Sequence, residues 1–401
     1  MDIVLGSDAC GVLTNGDDAP FRFRFPGGIE NLFWSEDTRA AVASRVAEGN
    51  ACTLGEDLIV AVALGLALTV AHALVSILVL KPVIRAAFGS SSVRLPFQSK
   101  ELAAAYRGLG NGLPDPNMVK KLSKMLGKTV SQINAWFRVR EKLERNEVKV
   151  TRVGESIFRL ATSLVVVGSG LSVSLQYTWR SGNTGEFWTS VSSGFPLQDN
   201  VRTYYVLIEL PLYLHRLVWQ LKDLGRRDFW EMFVHHALVV VLLVSSYAGN
   251  FILVGCATLF YHDITEIFLE LAKIFRYFQM QTMCDLTFTI FAAVWGLCRL
   301  CYFPSRVIRS TLYESGGTIS TFAWWFFNAL LGCILALNVY WFKIIAGVTY
   351  GVLWAGVDGG KGDRKSKKGE STDFETESDA TDSDSYLSDF SDSGWKHSKV
   401  D

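Results

Sequence analysis

The chain lacks the cysteine pattern of a disulfide framework or a zinc site. Its seven Cys (Cys10, Cys52, Cys256, Cys284, Cys298, Cys301 and Cys333) are scattered, and the closest pair, Cys298 and Cys301, lies in a largely apolar run. They read as packing residues in a reduced or membrane setting. The chain also lacks net charge, since 39 Lys+Arg cancel 39 Asp+Glu. A dedicated nucleic-acid binder should carry a basic excess, so that class is disfavoured. Residues 1–20 show no basic stretch followed by an apolar one, so no cleavable signal peptide is expected. No N-x-S/T sequon exists to mark a lumenal loop. Apolar residues are not scarce: they make up 49% of 401 residues, which excludes a wholly disordered chain. The length alone allows two or three domains.

Zero net charge conceals segregation. Residues 58–80 carry no Asp, Glu, Lys or Arg and end at Lys81-Pro82. Such a run spans a hydrocarbon layer of about 30 Å as a tilted helix. Further candidate spans are 157–177, 204–221, 229–247, 250–272, 285–303 and 321–345. Several of these contain His, Glu or Arg and are weaker by hydropathy. Seven spans put the termini on opposite sides. One side, comprising 81–156, 222–228, 273–284 and the tail after 357, holds 27 Lys/Arg, against 8 on the other. The positive-inside rule makes the first side cytosolic and the N-terminus lumenal.

After the last span the charge splits into two blocks. Residues 361–368 (KGDRKSKK) form a juxtamembrane basic cluster suited to anionic lipid. Residues 370–393 hold nine Asp/Glu, ten Ser/Thr and no Lys or Arg, a composition expected to be disordered. Thr372, Thr376 and Thr381 each have an acidic residue three positions on, as acidophilic kinases favour, so a phosphorylated tail is one reading and a solubilising tail the other.

Residues 116–143 read as two short helices around Gly127, with apolar stripes at Leu122, Met125, Leu126 and at Ile133, Trp136, Phe137. Thr129 and Gln132 are spaced as a capping box. Trp136, Phe137 and Arg140 stand as in the Trp-Phe-x-Asn-Arg run of a homeodomain recognition helix, which this segment resembles. The adenine-reading Asn of that family is Val139 here, and a phosphate-contacting Arg is Glu141. Valine offers no bidentate amide to an adenine edge. No DNA partner is expected.

The chemistry concentrates in 225–277. Two apolar spans carry His235, His236, His262 and Asp263, followed by Glu266 and Glu270. If these spans form a hairpin turning near Gly249, the three His and Asp263 lie 13 or 14 residues from the turn. At 1.5 Å per residue they share a layer roughly 20 Å from the lumenal surface, toward the cytosol. Ionisable groups at that depth are costly and default to functional candidates. A lone membrane His is ordinarily an interhelical hydrogen-bonder, but three His and an Asp at one depth are not that pattern. A metal site is the other option, yet adjacent His residues lack the i, i+3 or i, i+4 spacing that puts two ligands on one face, so no metal is assigned.

The run Arg226-Arg227-Asp228-Phe229, His235-His236, Ser245-Ser246-Tyr247, Asn250-Phe251, Gly255, His262-Asp263 and Leu269-Glu270-x-x-Lys273 resembles the signature of ceramide synthases. The resemblance extends through their TLC domain, roughly 150–350, and includes Ser310–Ser315 and Trp324–Asn328. The family usually has Asp three residues after His-Asp, where this chain has Glu266. The resemblance implies an acyl-CoA-dependent N-acyltransferase acting on a sphingoid base, with acyl-CoA as co-substrate and no bound cofactor. It implies His235 as nucleophile or base, His236 as its partner or an oxyanion donor, His262 with Asp263 as an orienting pair, and Glu266 as a further carboxylate. Lys222, Arg226, Arg227, Lys273 and Arg276 at the cytosolic mouth would hold CoA phosphates, or simply anchor the helices. It further implies the endoplasmic reticulum membrane, membrane-lipid contacts, and homo- or hetero-dimers with related synthases. In the family, the lumenal segment between the last two spans sets chain-length preference; here it maps to about 304–320. The rival reading is a TLC-type lipid-sensing or lipid-transport protein without catalysis, which would not need the His-Asp pair.

The expected fold class is therefore all-α: a polytopic membrane bundle of about seven helices with a small cytosolic three-helix homeodomain-like module. Its divisions are 1–57 lumenal, 58–80 first span, 91–150 module, 151–356 catalytic membrane domain and 357–401 tail.

Overall fold

The computed structural model describes residues 30–40, 54–88, 94–109, 114–193, 199–224 and 229–358. The basic and acidic tail blocks, most of the N-terminal segment, and Arg226 and Arg227 lie outside the described residues. Among the described residues the elements are helical, and the one strand-like pairing is an isolated antiparallel bridge between Trp34 and Ile319.

Helix α1, Leu54–Val75, continues through a π turn, Ser76–Leu80, into Lys81–Ala87. Two short helices follow, α2 (Lys100–Gly108) and α3 (Pro116–Leu126), and then the long α4 (Val130–Gln176). Helix α5 (Leu210–Gln220) is preceded by a π turn over Thr203–Glu209. The hairpin α6 (Phe229–Ala248) and α7 (Ile252–Tyr277) is next. Helix α8 (Gln281–Trp295) continues as a π-helical stretch, Gly296–Ile308, and α9 (Thr321–Asp358) closes the bundle.

Among the described residues, six helices are long and apolar enough to cross a membrane: Asp57–Ala87, Val130–Gln176, Phe229–Ala248, Ile252–Tyr277, Gln281–Tyr313 and Thr321–Gly351. The expected span at 204–221 is helical but is not among them. Glu209, His215 and Arg216 lower its hydropathy, and it is tucked inside the bundle, with Tyr204, Tyr205, Leu210, Leu212 and Tyr213 all buried. Its polar groups face protein rather than lipid, which is what the hydrocarbon layer demands.

The small module forms at the head of α4. Leu102 and Tyr106 of α2, Val119 and Leu122 of α3, and Ile133, Trp136 and Phe137 of α4 make one buried cluster. Trp136 Nε1 donates to Phe97 O at 2.9 Å. Helix α3 ends on Gly127 at φ +62°, a left-handed position that favours glycine. Thr129 then caps α4: its hydroxyl accepts from Gln132 N at 3.2 Å, and its own N–H donates to Gln132 Oε1 at 3.1 Å. Replacing Thr129 with alanine should cost about 1 kcal/mol, read as earlier unfolding or faster hydrogen exchange confined to the module.

No break separates the module from the membrane domain. Helix α4 runs 47 residues, about 70 Å, from the capping box into the bundle, so the boundary expected at 150 falls inside one helix. Ile84, Val150 and Val153 pack together where α1 and α4 meet, and Arg85 makes a forked pair with Glu147 at 2.9 and 2.6 Å.

Helix α7 is the centre of the bundle. Every residue from Phe251 to Asp263 is buried, against only part of each other helix. Gly255 allows the closest approach, since a Cβ there would lie 2.6 Å from the Tyr205 ring. A helix enclosed on all sides must give each of its polar side chains a protein partner.

Candidate active site

The hairpin places His235 on α6 and His262 on α7 against one apolar cavity. Tyr205, Tyr213, Leu242, Gly255, Thr258 and Ile334 also line it. A second cavity shares Leu242, Gly255 and Thr258 with the first. The two lie in succession along α6 and α7, from the imidazoles toward the Gly249 turn, and make a column with Leu242, Gly255 and Thr258 as the shared wall.

The layer treats its three imidazoles differently. His262 is fixed at both nitrogens: Nδ1 is 2.7 Å from Thr258 O, and Nε2 is 3.0 Å from Asn338 Nδ2. A carbonyl can only accept, so Nδ1 carries the proton and Nε2 accepts from the Asn338 amide. His236 Nδ1 meets Gln220 Oε1 at 2.6 Å, and its ring faces the Tyr213 edge. His235 has no hydrogen-bond partner among the described residues; its ring stands edge-on to Trp341, with centroids 5.1 Å apart. It is buried, borders the cavity and has no protein partner for its reactive nitrogens.

Adjacent helical residues point about 100° apart, and this separates both sequence neighbours. His235 faces the column while His236 faces α5. His262 faces the column while Asp263 turns to Arg216, Nη1 to Oδ1 at 3.6 Å. Asp263 thus meets a guanidinium rather than an imidazole, and His262 is oriented by Thr258 and Asn338. Glu266 lies one turn on and accepts from Arg299 Nη2 at 2.9 Å. The same nitrogen donates to His262 O at 2.8 Å and Thr265 Oγ1 at 2.6 Å, and the guanidinium lies over the Trp295 ring. Arg299 sits in the π-helical stretch, an irregularity frequent at functional sites.

On the side of the layer away from the Gly249 turn, Lys273 donates to Glu270 at 2.8 Å, and Arg159 is 3.9 Å from the same carboxylate. Lys222 lies over Trp219, and Arg276 is in the last turn of α7.

Sequence reasoning missed Arg216, Arg299, Glu209, Gln220, Asn338 and Tyr213. The two arginines were legible, because the depth argument applied to the His residues covers any ionisable group inside a span. A second imidazole pair was also missed. His72 of α1 is stacked between Phe158 and Trp219, both 3.7 Å away, and reaches His215 Nε2 at 3.2 Å. Stacked on two rings and hydrogen-bonded across helices, that pair is an interhelical tie of the ordinary kind. Among the described residues no group of three or more His, Cys, Asp or Glu converges as a metal site.

Six apolar helices around a buried His-, Arg- and carboxylate-bearing layer define a polytopic membrane protein of the TLC-domain class. A family profile for the TLC domain matches residues 152–346, from the middle of α4 to near the end of α9. The chain is 32% identical over 273 residues to human ceramide synthase 5, which is 67% of this chain and 66%, a little under two thirds, of that relative. It is 29% identical over 307 residues to bovine ceramide synthase 4, covering 75% of this chain and 76% of the relative. It is 32% identical over 165 residues to ceramide synthase LOH2 of Arabidopsis thaliana, or 38% and 54% of the two chains. The chain belongs to the ceramide synthase family.

Proposed function

We propose that this chain is a ceramide synthase of the endoplasmic reticulum, transferring a fatty acyl group from acyl-CoA to the amine of a sphingoid base. The observation that carries the reading is the free imidazole of His235 at the head of an apolar column. A sphingoid amine is protonated near neutral pH and must lose that proton before attacking a thioester. Imidazole is the side chain whose pKa suits the task.

In the direct route, His235 takes the ammonium proton and the amine nitrogen adds to the thioester carbonyl. The C–S bond breaks, and the CoA sulfur leaves with a proton. In the two-step route, an imidazole nitrogen of His235 first displaces CoA, and the acyl-imidazole is then opened by the amine. Both use the same free nitrogen. Asn338 and Thr258 hold His262 beside it, while Arg216 and Arg299 offset the carboxylates of Asp263 and Glu266. The acyl chain lies in the column, and CoA stays in water at the cytosolic mouth near Lys222, Lys273 and Arg276. Arg226 and Arg227 belong to the same short cytosolic loop. With the enclosed helix Thr203–Gln220 crossing as the seventh, alongside α1 from the Asp57–Arg202 pair to the His72–Trp219 stack, this orientation puts the N-terminus in the lumen and the tail in the cytosol.

The test incubates membranes bearing the full chain with sphinganine and a series of acyl-CoAs and reads the products by mass spectrometry. N-acyl sphinganine formed only when acyl-CoA is added is the expected result. No CoA-dependent product at any chain length would sink the reading and leave lipid sensing or transport in its place.

A further inference from the structure

The column has a floor, and residues far away in sequence hold that floor still. From His262 to Phe251 the cavity wall spans eleven helical residues, about 16 Å. At the Gly249 end it is closed by Trp188, Phe251, Ile319 and Phe327. The Phe251 and Phe327 rings meet edge to face at 5.2 Å, and Trp188 packs on Phe251 at 6.0 Å. Trp188 Nε1 donates to Ser310 Oγ at 2.9 Å, and Ser310 donates to Glu314 at 2.7 Å. Three of the four closing residues therefore sit on helices or next to the tight hairpin turn. Ile319 is the exception, because it lies in the connection between Tyr313 and Thr321.

What holds Ile319 is the segment 33–38. Thr318 O accepts from Ser35 N at 3.2 Å and from Thr38 Oγ1 at 2.8 Å, while Ser320 N donates to Phe33 O at 2.9 Å. Ser35 Oγ also donates to Gly317 O at 2.6 Å. Both neighbours of Ile319 are thus tied to the N-terminal segment, and Trp34 makes the antiparallel bridge to Ile319 itself. Trp34 Nε1 in turn donates to Gly249 O at 2.9 Å, fastening the segment to the hairpin turn beside Phe251. Phe33 packs against Phe327 at 5.8 Å. The segment thus touches Ile319 and Phe327 and is tied to the turn that carries Phe251, and Trp34 and Thr38 are both buried.

We propose that residues 33–38 act as a specificity strap: by fixing Ile319 against the Gly249 turn, they set how long an acyl chain the column accepts. This rests on the acyltransferase reading above. A terminal methyl that reaches the floor meets a side chain whose backbone is tied on both sides. A longer chain enters only by moving Ile319 and breaking those bonds. One methylene more or less in an apolar pocket discriminates on the order of 10-fold or more, so a small retreat of the floor is readable in the products. Trp34, Ser35 and Thr38 are positioning residues, acting through Ile319.

The experiment presents an equimolar mixture of saturated acyl-CoAs to membranes carrying the full-length chain and sphinganine. It compares product ratios, not only yield. Trp34→Ala should shift the ratio of longer to preferred product by about 10-fold toward longer chains. Thr38→Val, which keeps shape but removes the bond to Thr318, should shift it the same way by less. Ile319→Ala should reproduce the shift without touching the strap. If Trp34→Ala does not accumulate, Trp34→Phe and Thr38→Val carry the test. Wild-type ratios in these variants, or an equal fall at every chain length, would overturn the strap. A wild-type chain that makes no product defeats the acyltransferase reading instead, so the two failures are distinguishable.

Discussion

Replacing His235 with alanine is expected to lower sphinganine acylation at least about 100-fold, and up to 10⁴-fold, because positioned acid–base groups contribute on that scale. The loss should fall on turnover rather than on saturation by acyl-CoA. The chain's binding column would remain, and only the nitrogen at its mouth would be gone. His236→Ala is expected to be milder, since His236 spends its Nδ1 on Gln220 rather than facing the cavity. His262→Ala should fall between them, because it removes a ring held by Thr258 and Asn338 and leaves both groups buried without it. The check is initial rate per unit of folded protein in membranes, with expression matched by immunoblot. A His235→Ala chain within a few-fold of wild type would remove His235 from the chemistry. With labelled acyl-CoA and no sphinganine, label retained on wild type but not on His235→Ala would select the two-step route.

Arg299→Met is expected to cost about 3–5 kcal/mol of stability, the scale for removing one partner of a buried ion pair. Arg299 is 4% exposed and one nitrogen serves His262 O, Thr265 and Glu266 together. Its loss strands the Glu266 carboxylate inside the bundle. Glu266 keeps 29% side-chain exposure, so some water reaches it and the lower part of that range applies. The double replacement Arg299→Met with Glu266→Gln should recover much of the loss, because no net charge is then left unpaired. Thermal unfolding of the detergent-solubilised chain, followed by tryptophan fluorescence, measures both. Equal midpoints for the single and double variants would mean that the pair is not what Arg299 contributes. Activity separates the roles: if Arg299 positions His262 as well, the double variant regains stability without regaining rate.

Hydropathy was enough to find the spans, because a helix that meets lipid must be apolar along its whole length. It failed at Thr203–Gln220 for the same reason. That helix meets protein instead, so Glu209, His215 and Arg216 are tolerated and the apolar signal fades. The capping box at Thr129 and the Trp136 core were legible because both are local, set by residues three or four apart. The continuity of α4 was not, since nothing between Glu147 and Ile157 marks that one helix carries on from the module into the membrane.

The candidate site divides along the same line. Composition and spacing alone determined that His235, His236, His262 and Asp263 share one depth, since helical rise depends only on residue count. They also marked this as the costly place to keep ionisable groups. Azimuth is another matter. Which neighbour faces the cavity, that Asp263 turns to Arg216, that Asn338 from the last helix caps His262, and that Trp34 reaches Ile319 were decided only when the helices packed. Those contacts join residues dozens to hundreds of positions apart, and side-chain direction there follows from which faces the neighbouring helices cover. Net charge zero, the chain's most conspicuous absence, hid buried charges, among them Asp263, Glu266 and Glu270, that the tertiary structure sets against arginine and lysine side chains.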